Sequence, residues 1–233
     1  MAHVTVLSLG GSIIVPGAVD VSFISSFAAL IRKYLAGSDD SRLIIVTGGG
    51  STARIYQQAY RKIASEVSSY EQDLIGISAT RLNAQLMRSV LLDLCPTDIV
   101  TDPTADFLFD GRVLIAAGWK PGFSTDKDAV VLAERFGAEQ VVNLSNISKV
   151  YTADPKVDPA AEPVDHMGWK EFRAMVGDEW EPGKNVPFDP IAAKRASEIG
   201  LQVICAGGTD IENTMAILEG RPFIGTTIGP EWE

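Results

Sequence analysis

Two glycine runs carry the first chemical signal. Gly10-Gly11-Ser12 and Gly48-Gly49-Gly50 each follow a short apolar, β-branched segment. A glycine turn between strand and helix lets backbone N–H groups approach an anion with no side chain in the way. Either run alone reads equally well as a plain strand-to-helix turn. Two at one edge of a fold point to a phosphate-bearing ligand, because clustered amides and helix N-termini favour negative charge.

Other chemistries fit less well. Gly48, Gly50 and Ala53 satisfy the G-x-G-x-x-A spacing of dinucleotide-binding folds, and Glu66, Glu71 and Asp73 stand near the required acid. That acid must end the next strand to meet a ribose, whereas these lie in a helical stretch. No G-x-x-x-x-G-K-[ST] occurs, which removes P-loop kinases, and no G-x-S-x-G elbow supports acyl transfer. His3 and His166 are expected at the surface, one near the start and one in a proline-rich loop.

A net charge of −10 argues against a nucleic-acid partner, whose affinity would come from a basic surface, so an anionic ligand must be held by a local site. Cys95 and Cys205 are too few for a disulfide framework or a four-ligand zinc site; no metal site is readable, and the usage suits a reducing compartment. The first residues alternate and break at Gly10-Gly11 without a long apolar run. The expectation is therefore a cytoplasmic protein with no membrane partner.

The elements that must position the glycine runs follow from pattern. His3–Leu9 is expected as strand one. Asp20 caps a helix in which Phe23, Phe27, Leu30, Ile31 and Tyr34 recur at helical spacing, and 43–46 is a second buried strand. Residues 51–94 read as two helices, with Leu74, Ile75, Ala79, Leu82, Leu86 and Val90 lining one face of the second. Strands are expected at 98–101, 112–117, 140–144 and 202–206. Helices are expected at 126–136, 168–176, 190–199 and 210–218, with a Pro/Asp-rich loop over 154–165. Such alternation implies a parallel α/β sandwich, read as one domain with two lobes, whose ligands sit outside the carboxyl ends of the strands.

Six segments in fixed order add a resemblance. They are LGGS (9–12), TGGGSTAR (47–54), IGISATRLNA (75–84), Pro121-Gly122-Phe123-Ser124-Thr125-Asp126, Val150-Tyr151-Thr152-Ala153-Asp154-Pro155-Lys156 and Phe188-Asp189-Pro190-Ile191-Ala192-Ala193-Lys194. With the closing Gly225-Thr226-Thr227-Ile228, the series is similar to the amino acid kinase superfamily and, within it, to archaeal-type uridylate (UMP) kinases. The resemblance spans nearly the whole chain.

It implies a three-layer αβα sandwich with a mostly parallel sheet. Residues 1–233 would form one domain with an N-terminal acceptor lobe and a C-terminal ATP lobe. It implies transfer of a phosphoryl group from ATP, with Mg²⁺, to UMP in pyrimidine nucleotide synthesis. Other acceptors of the same fold, a small phosphate or a carboxylate, remain alternatives, as does a non-catalytic nucleotide-binding or storage protein. By motif position, ATP would be held by Gly11, Ser12, Gly50, Arg54, Ser145, Tyr151 and Asp154. UMP would be held by Gly49, Asp73, Trp119, Lys120, Pro121, Gly122, Phe123, Ser124 and Thr125. Arg54 and Asp189 would serve the transfer itself, Arg54 on the moving phosphates and Asp189 as an organiser of donors and metal-bound phosphates. Helix capping by Asp189, packing of Tyr151 and a turn at Asp154-Pro155 are compatible readings. The resemblance also suggests a homo-oligomer, a hexamer assembled from dimers.

Three departures stand out. Ser8 occupies a position where many superfamily kinases carry lysine, and Lys120, Lys127 and Lys184 are the nearest replacements by motif. Ser148-Lys149 replaces an Asp-Gly pair ahead of Val150-Tyr151. Trp119-Lys120 replaces smaller residues in the acceptor loop.

Overall fold

The computed structural model describes residues 3–155, 157–179 and 186–230. In chain order the elements are β1 (His3–Leu9), α1 (Gly11–Ile14), α2 (Val21–Ala36), β2 (Ser41–Thr47), α3 (Gly50–Ile63) and α4 (Ser69–Val90). Next come β3 (Val113–Ala116), α5 (Thr125–Phe136), β4 (Gln140–Ser145), β5 (Val150–Tyr151) and β6 (Pro163–Val164). The last are β7 (His166–Gly168), α6 (Trp169–Val176), α7 (Pro190–Glu198), β8 (Gln202–Gly207), α8 (Ile211–Leu218) and β9 (Thr226–Gly229).

Seven strands form one sheet in the order β3-β2-β1-β4-β8-β9-β7, with β5 and β6 as a separate hairpin. All neighbours run parallel except β8 and β9. Alternation along the strands sends Leu7, Leu9, Leu43 and Ile45 to one face, against α2, α4 and α8. Val4, Val6, Ile44 and Val46 go to the other, against α5, α6 and α7. Both faces are covered, which is why the central strands read as continuous apolar runs rather than as an alternation. The result is the expected three-layer αβα sandwich with a mostly parallel sheet.

Short polar residues set the helix starts. The Asp20 carboxylate accepts from the Phe23 N–H at 2.9 Å, Ser124 Oγ from the Lys127 N–H at 3.2 Å, and Asp189 from the Ala192 N–H at 2.8 Å. Each satisfies a donor that the first helical turn leaves unpaired.

The structure corrects three expectations and adds one strand. Residues 98–101 form no strand and contribute a single bridge, Val100 to Ala116. Leu82 on α4 is 63% exposed and Leu74 is also exposed; Ala79 is buried and Leu86 and Val90 pack against the core as expected, joined by buried Ile77, Thr80, Asn83, Ala84 and Met87. The polar pair is buried because it serves neighbouring backbone. Asn83 Nδ2 donates to the Gly48 carbonyl at 2.7 Å, and Thr80 Oγ1 accepts from the Gly118 N–H at 2.8 Å. His166 opens the short strand β7 rather than lying in a loop, and β9, over the β-branched Thr226-Thr227-Ile228, closes against β8 as a strand beyond those expected.

Candidate active site

β1 lies between β2 and β4, with Leu9 opposite both Thr47 and Leu144, so the turns leaving these strands emerge side by side. The two glycine runs interlock there. A Cβ on Gly11 would stand 2.0 Å from the Gly50 nitrogen, and one on Gly48 would stand 2.4 Å from the Gly11 nitrogen. Neither Gly11 nor Gly48 has positive φ; both are glycine for want of space, whereas Gly50, at φ +65°, also needs glycine for its backbone. Asn83 fastens the second run from beneath through the Gly48 carbonyl.

Two cavities open at this edge. One, of about 490 Å³, is walled by Gly10, Gly11 and Gly48 on one side and by Ser145, Tyr151 and Asp154 on the other. The second, of about 510 Å³, is walled by Asp73, Phe123, Ser124, Lys127 and Asp189. The N-terminus of α5 divides them, since Thr125 and Asp126 face the first cavity while Ser124 and Lys127 face the second.

Asp126 joins three elements at that divide. Its Oδ1 accepts from the Ser8 hydroxyl of β1 at 2.9 Å, and its Oδ2 accepts from the Asp189 N–H at the start of α7 at 3.2 Å. Burial pushes its carboxyl up to about 6, the Ser8 hydroxyl opposing that and the Asp189 charge adding to it. Asn143, paired in register with Ser8, donates its Nδ2 to the Pro187 carbonyl at 2.9 Å and so anchors the segment that carries Asp189.

The expected site residues distribute as follows. Gly11, Ser145, Tyr151 and Asp154 wall the first cavity, joined by Thr125, which the motif had assigned to the acceptor. Asp73, Gly122, Phe123, Ser124 and Asp189 wall the second. Ser12, Gly49, Gly50 and Pro121 line neither, and Arg54 is exposed one turn into α3. The acceptor loop is braced: Asp73 accepts from the Gly122 N–H at 2.9 Å, and Arg81 donates to the Trp119 carbonyl at 3.1 Å. Trp119 meets Phe123 edge-on at 4.8 Å, with the Lys120 ammonium 3.7 Å above the indole. Lys184 lies outside the described residues.

Sequence reasoning missed Asp126, Thr80, Asn83 and Asn143 as positioning residues. The acid at the start of α5 has a sufficient bland explanation in the helix dipole, and nothing local shows where an asparagine on α4 will point. Beneath the acceptor loop, Asp128 is 1% exposed; its Oδ2 accepts from the Trp119 N–H at 3.1 Å and its Oδ1 has no hydrogen-bond partner. Burial pushes this carboxyl up to about 7. Cys95 and Cys205 are buried with raised thiol pKa values, so neither serves as a nucleophile.

A model of the amino acid kinase family matches residues 3–207. The uridylate kinase of Methanospirillum hungatei is 34% identical over 226 residues, covering 96% of this chain and 93% of that one. That of Thermoplasma volcanium is 35% identical over 225 residues, covering 96% of each. The crystal structure of the Archaeoglobus fulgidus uridylate kinase superposes with a TM-score of 0.82 at 33% identity, covering 97% of this chain and 99% of that one. The UMP kinase of Bacillus anthracis shares the fold at 18% identity with a TM-score of 0.77. With the motif order, the interlocked glycine turns and the sheet order all carried by one chain, it belongs to the amino acid kinase family.

Proposed function

We propose that this chain is an ATP-dependent phosphotransferase that converts UMP to UDP, a step of pyrimidine nucleotide synthesis carried out in the cytoplasm. One observation carries the reading: two cavities of similar volume flank the Asp126–Asp189 contact, and the first of them is lined by both interlocked glycine turns. Phosphoryl transfer asks little covalent chemistry of a protein. It asks for in-line positioning of donor and acceptor and for neutralisation of charge spread over the moving group.

The first cavity suits the donor nucleotide, with Tyr151 and Ser145 toward its nucleoside and the Gly11 and Gly48 backbone toward its phosphates. The second suits the acceptor, with Asp73 and the 118–124 loop around it. Residues 1–233 then act as one domain with an acceptor lobe and a donor lobe. No three His, Cys, Asp or Glu side chains converge as a metal site among the described residues. That fits Mg²⁺, which is commonly held by one or two carboxylates together with substrate phosphates. Asp189 is the carboxylate placed for it, and bound Mg²⁺ would neutralise phosphate charge. Asp126 positions the Asp189 backbone, and Arg54 can swing inward from α3 toward the phosphates.

A homo-oligomer, a hexamer assembled from dimers, accords with the apolar side chains that α3 and α4 leave uncovered, among them Ile55, Tyr70 and Ile63 at 83% exposure. No helix among the described residues is long and apolar enough to cross a membrane.

A coupled ADP-release assay across UMP, CMP, acetylglutamate, aspartate and isopentenyl phosphate tests the function. UMP is expected to give the highest kcat/KM. A different preferred acceptor would reassign the substrate, and nucleotide binding with no turnover on any acceptor would make the chain a binding protein.

A further inference from the structure

The second cavity is chemically lopsided. Among the described residues Asp73, Asp178, Glu179 and Asp189 line it, Asp178 paired with Arg173, and Lys127 is the only cation in its wall. An anionic acceptor cannot enter such a cavity on favourable terms without positive charge directed into it. The other cations nearby are committed or remote. Lys149, in the wall of the first cavity, is ion-paired with Asp165, and Arg81 holds the Trp119 carbonyl. Lys120 rests over Trp119 outside both walls, and Arg54 lines neither cavity.

Lys127 makes no ion pair among the described residues. It sits in the first turn of α5, with its N–H fixed by the Ser124 cap and its ammonium 3.5 Å over the Phe123 ring. A cation–π contact at a partly exposed site is weaker than a charge-assisted hydrogen bond to phosphate, and four methylenes give the ammonium room to exchange one for the other. The α5 N-terminus adds its own positive potential at the same point. We propose that Lys127 is the acceptor-binding cation: its ammonium leaves Phe123 to meet the anionic group of the acceptor and so makes acceptor choice depend on that charge.

The inference rests on the assignment of this cavity to the acceptor, and its test separates the two. Binding of UMP and of uridine is measured by calorimetry with a non-hydrolysable ATP analogue and Mg²⁺, for the unaltered protein and for Lys127→Met, Lys127→Arg and Lys33→Met. The last removes an exposed lysine on α2. The expected result is that Lys127→Met weakens UMP at least tenfold, leaves uridine within about twofold and is largely rescued by Lys127→Arg, while Lys33→Met changes neither. Equal weakening of UMP and uridine, or UMP binding unchanged in Lys127→Met, would overturn it. Absence of UMP binding in the unaltered protein would remove the acceptor assignment, and the inference with it.

Discussion

Replacing Gly11 by alanine tests the interlock of the two glycine turns most directly. The added Cβ would stand 2.0 Å from the Gly50 nitrogen, 2.5 Å from the Gly48 carbonyl carbon and 2.6 Å from the Gly49 nitrogen. Ordinary contact needs roughly 3.5 Å, so the turns must part by more than ~1 Å. All three clashes are with backbone, and no rotamer relieves them. Both turns are also pinned: the Gly10 N–H donates to Leu144 at 2.8 Å, the Gly48 N–H to Leu9 at 2.9 Å and the Ser51 N–H to Val15 at 2.9 Å. Overpacking of this kind costs about 1–3 kcal/mol, here toward the upper end. For a chain of this size that lowers Tm by roughly 5–12 °C. With the first cavity as the proposed donor site, moving its glycine wall by about 1 Å should cost on the order of 10² in kcat/KM for ATP. Thermal melts and the coupled ADP assay read both, with Gly17→Ala as control because nothing lies within 4 Å of its Cβ position. A Gly11→Ala protein with unaltered Tm and activity would refute the interlock as the reason for glycine.

Two further outcomes follow from the carboxylates. Asp189→Asn keeps a side-chain oxygen able to accept the 2.8 Å bond from the Ala192 N–H, so Tm should move little while kcat falls by ~10² or more; unaltered kcat would reduce Asp189 to a helix cap. Asp128 ionises near 3.8 in the unfolded chain but is pushed up to about 7 by burial, so the unfolded state releases its proton first and stability falls as pH rises from about 4 to 7, by a few kcal/mol. Denaturant melts at pH 5 and 7.5 should show a smaller fall for Asp128→Asn, the remainder belonging to Asp126, which titrates with the same sign. An identical fall in the variant would count against the buried charge.

Much of this protein follows from local pattern. The runs now seen as β1, β2, β4 and β8 are apolar enough to require cover on both faces, and the caps at Asp20 and Asp189 stand where their helices begin. These are short-range properties, set by side-chain periodicity and by unpaired amides in a first helical turn, and the sequence alone determined them. The resemblance assigned Tyr151 and Asp154 to the donor and Asp73 to the acceptor; the first two wall one cavity, and Asp73 with Asp189 walls the other.

Tertiary structure decided what depends on partners distant in the chain. Apolar spacing on α4 found Ala79, Leu86 and Val90 but misplaced Leu74 and Leu82, because Thr80 and Asn83 are drawn inward by Gly118 and Gly48, whose needs no helical pattern records. Residues 98–101 have strand-like composition but find one bridging partner at the sheet edge. Asp126 looks like an ordinary helix-start acid until β1, α5 and α7 converge on it, and Ser8 is 118 residues away from it along the chain. Gly11 needs no unusual backbone angle; only the approach of Gly50 forbids it a side chain. Hydrogen-bond geometry and excluded volume between remote segments are fixed by packing, and packing is a property of the folded chain.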